Sequence, residues 1–256
     1  AKLDGVVGKV ILPGLFSPVI AAIVAMTGTK LVLWLSRSIA KGYAHSGFKW
    51  GQIGTASLLS LSHGTNDAQK TMGVITLALI GAGIWSDTHA IPWEVKIACA
   101  LAIALGTYIG GWRIIRTMGK GLTEISPAQG VAADSSSAAV ILASSQLGFA
   151  LSTTHVATGS IMGTGLGAPG AKVRWRVAGR MGLAWLITLP SAGAVAAALY
   201  GLDILLGGVL GPLAIILVMG ALGLWMFLHS RRDAVGSHNV NDEWEPTPTD
   251  KPKVRA

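Results

Sequence analysis

Five polar side chains, His63, Asn66, Asp67, Gln69 and Lys70, fall within the stretch SHGTNDAQKTMG (residues 62–73), and both flanks of that stretch are apolar. Leu58, Leu59 and Leu61 lead into it, and Met72, Val74, Ile75, Leu77, Leu79 and Ile80 follow. An unpaired polar or charged group in hydrocarbon is costly, so such a set points to a place where something polar is bound or moved. A second polar run, Ser152-Thr153-Thr154-His155, interrupts another apolar stretch. Ser, Thr, Asn and Asp are good helix N-caps. A helix that starts at such a cap presents free N–H groups and the positive end of its dipole, which suit an oxyanion. The expectation is two broken helices whose ends, at Thr65–Asn66–Asp67 and at Ser152–Thr153–Thr154, face each other and chelate an anion. Lys70, one turn past Asp67, would add a full positive charge.

Asp67 qualifies that picture. A carboxylate beside an anion repels it unless the carboxylate is protonated or shares a cation. Symport has that arrangement: a proton or Na⁺ on Asp67 makes anion binding favourable and ties the two movements together. Gln69 and Asp134 are further candidates for the coupling-ion path, and His63 and His155 are possible contributors. Each has a plainer reading beside it. Ser and Thr in spans often bond their own helix backbone, and Asp134 with Ser135, Ser136 and Ser137 could be a buried packing network. The 34 glycines read as helix-packing positions and not as phosphate loops.

These residues need a scaffold, and the composition indicates one. The chain has 256 residues, 51% hydrophobic and 12% charged, about half the charge fraction of ~25% usual for soluble domains. Apolar runs at 11–35, 52–85, 95–112, 181–200 and 211–228 approach or exceed the ~20 residues that cross a bilayer. The formal net charge of +8 does not indicate nucleic-acid binding, because Arg and Lys sit in short loops and in the tail. Under the positive-inside rule, loops 37–50, 113–120 and 172–180 and the segment from 231 onward lie in the cytoplasm, with 86–94 and 201–210 outside. The region between Lys120 and Lys172 then crosses an even number of times, as a hairpin or pair of broken helices. Irregular backbone at that depth is tolerated only where it lines a cavity or is covered by protein. Residues 1–229 therefore read as a transmembrane transport domain of about six to seven helices, and 230–256 as a disordered cytoplasmic tail. Trp34, Trp85, Trp93, Trp112, Trp175 and Trp225 near span ends fit an interfacial belt. The single Cys99 rules out an intrachain disulfide.

The same residues carry a resemblance. SHGTNDAQKTMG resembles the second signature of the inorganic phosphate transporter family, the Pit-type permeases. GLTEISPAQGVAAD, FALSTTHVATGSIMG and VRWRVAGRMGLAWLITLP resemble further stretches of that family's C-terminal half, in the same order. The resemblance implies an all-α, inverted-repeat transporter that moves phosphate with Na⁺ or protons by alternating access in the plasma membrane. It implies phosphate and ion contacts at Thr65, Asn66 and Asp67, and at Ser152, Thr153 and Thr154. Asp134 stands where the family usually has glutamate, Ala150 where many members have proline, and Thr65 in place of a common alanine. Only one Asn-Asp signature is present, so the chain is expected to be a C-terminal portion or one half of a two-part transporter, completed by a first repeat or a partner half. A homodimer is possible. No cofactor beyond the coupling ion is implied, with Asp67 a ligand if that ion is Na⁺. Other readings are a permease for sulfate or another oxyanion, a membrane phosphate receptor that transports nothing, and a hydrolase built on Asp67 and Asp134.

Overall fold

The structure is a computed structural model and describes residues 5, 7–39, 41–88, 90–149, 151–231, 235–236 and 238–240. The expected tail and Ala150 fall wholly or mostly outside the described residues. Among the described residues the regular structure is helical. The order is a short π-helical turn (Val7–Ile11), α1 (Leu12–Ser36), α2 (Lys41–Gly81), α3 (Trp93–Arg116) with a π-helical extension (Thr117–Leu122), α4 (Pro127–Gln146), α5 (Thr153–Gly167), α6 (Trp175–Leu206) and α7 (Leu210–Ser230). Among the described residues four runs are long and apolar enough to cross a membrane: Val7–Ser36, Trp93–Leu122, Trp175–Leu206 and Leu210–Ser230. The other helices, α2, α4 and α5, carry the polar residues singled out above.

The chain forms two compact units, residues 1–174 and 175–256. The second contains the α6–α7 hairpin, whose turn uses Gly207 and Gly208 at positive φ. Its large apolar side chains, Leu186, Leu189, Leu205 and Leu217 among them, are exposed, as lipid-facing surface is.

In the first unit α5 packs along α1, α4 packs along α2, and α3 packs on α2. The α1–α5 contact is close because of glycine spacing. Gly159 lies on the backbone of Pro18, Gly163 on that of Ala22 and Gly167 on that of Met26, and a methyl at Gly159 or Gly163 would run into the facing carbonyl. Small residues four apart let two helix backbones approach in this way. The paired positions rise together along both helices, so α1 and α5 run parallel.

Two capping devices shape the α4–α5 hairpin. Ser126 and Gln129 form a capping box at the start of α4, which satisfies two otherwise orphaned N–H groups. Gln129 Nε2 also donates to Thr164 O at 3.2 Å, tying the start of α4 to the end of α5. At its other end α4 stops at Gly148, φ +70°. Phe149 N donates to Ser144 O and Gly148 N to Ser145 O, the paired bonds of a Schellman stop that glycine alone adopts without strain. Below this turn Ala21, Ile141, Leu151 and Val156 make a small apolar core.

Both ends of the hairpin region meet. Arg174 N donates to Leu122 O at 2.8 Å, its guanidinium bonds Lys120 O, and it pairs with Glu124 at 3.1 Å. The region between Lys120 and Lys172 thus starts and finishes on one side, as the loop charges predicted. One expectation fails. SHGTND does not break its helix: α2 runs without interruption through all 41 residues from Lys41 to Gly81. Thr65 Oγ1 bonds back to Leu61 O at 2.9 Å and Ser62 O at 3.1 Å. Residues that can cap a helix therefore sit inside one, with the Thr65 hydroxyl on the preceding turn.

Candidate functional site

Asp67 occupies the centre of the site. It lies on α2, midway along the 52–81 portion, with a half-buried carboxylate. Thr153 Oγ1, at the first position of α5, donates to Asp67 Oδ2 at 2.9 Å. His63 Nε2, one turn earlier on α2, lies 2.8 Å from the same oxygen. Lys70 Nζ lies 3.1 Å from Asp67 Oδ1 and donates to Leu151 O at 2.7 Å. The spacing 63, 67, 70 puts all three side chains on one helix face. The two polar stretches, 86 residues apart, therefore meet at one carboxylate.

Asn66 flanks this group. It is 5% exposed, and its Nδ2 donates to Ser145 Oγ at 2.9 Å. Its Oδ1 is buried and has no hydrogen-bond partner among the described residues.

The end of α5 is built by Ser152, whose Oγ accepts from His155 N at 3.4 Å and whose carbonyl accepts from Val156 N at 3.1 Å. The N–H groups of Thr153 and Thr154 precede the helix's own hydrogen-bond ladder. Thr153 is buried beside Asp67, Ser152 is half-buried and Thr154 is exposed. Leading N–H groups, hydroxyls and the positive end of a helix dipole are features of the kind that suits an oxyanion.

The remaining predicted residues sit elsewhere. Thr65 and Gln69 are exposed on other faces of α2. Asp134, on α4, is half-buried and lies eleven residues before Ser145, the α4 residue that accepts from Asn66. Eleven residues of α4 span about 16 Å along its axis at ~1.5 Å per residue, whereas Asn66 adjoins Asp67 on α2. The two carboxylates are therefore not assembled into the pair, within ~10 Å, that two-carboxylate hydrolysis requires. His155 faces α1: its Nδ1 lies 3.2 Å from Gly14 O. Among the described residues no group of three or more His, Cys, Asp and Glu side chains could hold a metal ion. Sequence reasoning missed Ser145, the Leu151 carbonyl and Gly14. Only Ser144-Ser145, polar residues just ahead of the Gly148 stop, left a signal that could have been followed.

A family model described as the phosphate transporter family matches residues 36–196. The chain belongs to the phosphate transporter family. It is 55% identical over 249 residues to a protein of Mycobacterium bovis named probable low-affinity inorganic phosphate transporter, covering 94% of this chain and 58% of that protein. Proteins of the same name from Mycobacterium leprae (52% over 244 residues, 94% and 59% covered) and Bacillus subtilis (41% over 192 residues, 75% and 58% covered) are also similar. The chain spans about three-fifths of the length of these relatives. A solved structure titled the sodium-dependent phosphate transporter shares the fold, with a TM-score of 0.57 over 79% of this chain and 61% of that one, at 22% identity. With its four apolar spans, this phosphate transporter family member is a multi-pass protein of the plasma membrane.

Proposed function

We propose that this chain supplies one half of a secondary transporter that moves inorganic phosphate by alternating access, coupled to H⁺ or Na⁺. A first repeat or a partner half completes the transporter, and a homodimer is one way to arrange two copies. Phosphate binds at the N-terminal end of α5, to the Thr153 and Thr154 N–H groups and to the hydroxyls of Ser152 and Thr154. The observation that carries this reading is the bond from Thr153 Oγ1 to Asp67 Oδ2 at 2.9 Å. It joins the anion-binding end of one helix to the carboxylate of another.

Asp67 is the coupling-ion group. A cation on its carboxylate removes the repulsion that a neighbouring phosphate would meet. Asn66, one residue earlier on α2, has a buried Oδ1 without a partner among the described residues, an oxygen of the kind that ligates a bare cation. Lys70, held between Asp67 Oδ1 and Leu151 O, balances the carboxylate and keeps the two helices together. It is assigned to phosphate only through its charge. Thr65, Gln69 and Asp134 have no direct part in this step.

A full-length transporter reconstituted in proteoliposomes tests the reading. Labelled phosphate should accumulate against its gradient when an inward H⁺ or Na⁺ gradient is imposed. Unlabelled phosphate should compete, and sulfate at the same concentration should not. Effective competition by sulfate would make the protein a broader oxyanion permease, and binding without flux would make it a receptor.

A further inference from the structure

Proline has no N–H, so the helical bond that residue 18 would return to the carbonyl of Gly14 cannot form. A carbonyl opened in this way inside a membrane has to find its donor within the protein. Here the nearer donor comes from a different helix. His155 Nδ1 lies 3.2 Å from Gly14 O, with Ser17 Oγ as a second, longer contact at 3.4 Å. A carbonyl only accepts, so the ring carries its proton on Nδ1.

The position of this bond is regular. Residues 14, 18, 22 and 26 on α1 face 155, 159, 163 and 167 on α5, each step four residues on both helices. The last three pairs are glycine on backbone. The first replaces that close approach with a side-chain hydrogen bond, at the point where Pro18 has opened the α1 ladder. It also sits in the first turn of α5, where Ser152 Oγ already holds the backbone N–H of His155.

We propose that His155 is a positioning residue: its Nδ1–H, bonded to the Gly14 carbonyl that Pro18 leaves open, fixes the first turn of α5 against α1. It sets where Thr153 and Thr154 stand relative to Asp67 without touching phosphate itself. The consequence for transport rests on the phosphate site described above. The link between ring, carbonyl and proline does not.

The test uses the full-length transporter and four variants: His155→Asn, whose amide can reach Gly14 O, His155→Leu, Pro18→Ala, and Pro18→Ala with His155→Leu. His155→Leu should raise the KM for phosphate by ~10-fold, the scale of a buried hydrogen bond left unmade, with a smaller change in kcat. His155→Asn should recover most of that loss. In the Pro18→Ala background the backbone regains its own donor to Gly14 O, so the same Leu substitution should change KM by less than about 3-fold. Equal effects in the two backgrounds, or no recovery by Asn, would overturn the proposal.

A second readout needs neither transport nor a folded Leu variant. In ¹⁵N-histidine-labelled protein, the His155 signal, assigned by its loss in His155→Asn, should show a protonated Nδ1. An unprotonated Nδ1 would overturn the inference whether or not the protein carries phosphate. A protonated Nδ1 in a protein that moves no phosphate would support the link and count against the function.

Discussion

Thr153 contributes to the site twice, with its backbone N–H at the end of α5 and its hydroxyl on Asp67. Thr153→Val keeps the shape and the N–H but takes one donor from a half-buried carboxylate. An acceptor left short of a partner costs ~1–3 kcal/mol. Phosphate KM in the full-length transporter should rise by about 10-fold, as measured by initial uptake rates, while Thr153→Ser should stay near the parent. Lys70→Met separates charge from packing, since it leaves both Asp67 Oδ1 and Leu151 O without the ammonium. It should lower uptake more than Thr153→Val does, because a charged partner is lost as well as a hydrogen bond. At this scale the residue types were legible in the sequence, since polar groups in an apolar chain declare themselves. Their partners were not. Nothing in the order of residues says that Lys70 reaches the carbonyl of Leu151 or that Asn66 finds Ser145, since those bonds follow from how α2 lies on α4 and α5.

Among the elements, α2 and α5 differ in a way their sequences conceal. Both contain a run of cap-forming residues, yet only α5 begins at one. The difference lies in what precedes each run. Gly148 at positive φ stops α4 ahead of Ser152, whereas His63-Gly64 ahead of Thr65 has no comparable stop and the helix continues. The α1–α5 contact carries the element-scale prediction. Gly163→Ala places a methyl against the carbonyl of Ala22, and such overpacking costs ~1–3 kcal/mol. The midpoint of thermal unfolding in detergent should fall by several degrees. Gly193→Ala, with open space around the added methyl, should leave it unchanged. An unaltered midpoint for Gly163→Ala would mean that the two backbones are not in contact.

For the whole molecule, the charge of the loops was enough to anticipate a hairpin entering and leaving on one side, and the Arg174 clasp on Leu122, Lys120 and Glu124 closes it. Which side faces the cytoplasm is an expectation from the positive-inside rule. It is tested by single cysteines in a background with the buried Cys99 replaced by serine. Cysteines at Lys120 and Lys172 should both resist an impermeant thiol reagent in intact cells, and one at Asp87 should react. Labelling of only one of the first pair would contradict the hairpin.

The central claim is that α2 and the start of α5 form one site in which a cation on Asp67 permits phosphate to bind. Asp67→Asn in the full-length transporter tests it most directly, because the amide keeps the size of the side chain and can still accept from Thr153. Gradient-driven phosphate uptake into proteoliposomes should fall by about 100-fold or more, within the range seen when a charged group central to a site is removed. The residual uptake should no longer respond to the imposed H⁺ or Na⁺ gradient. Uptake at the parent rate with the same gradient dependence would contradict the account.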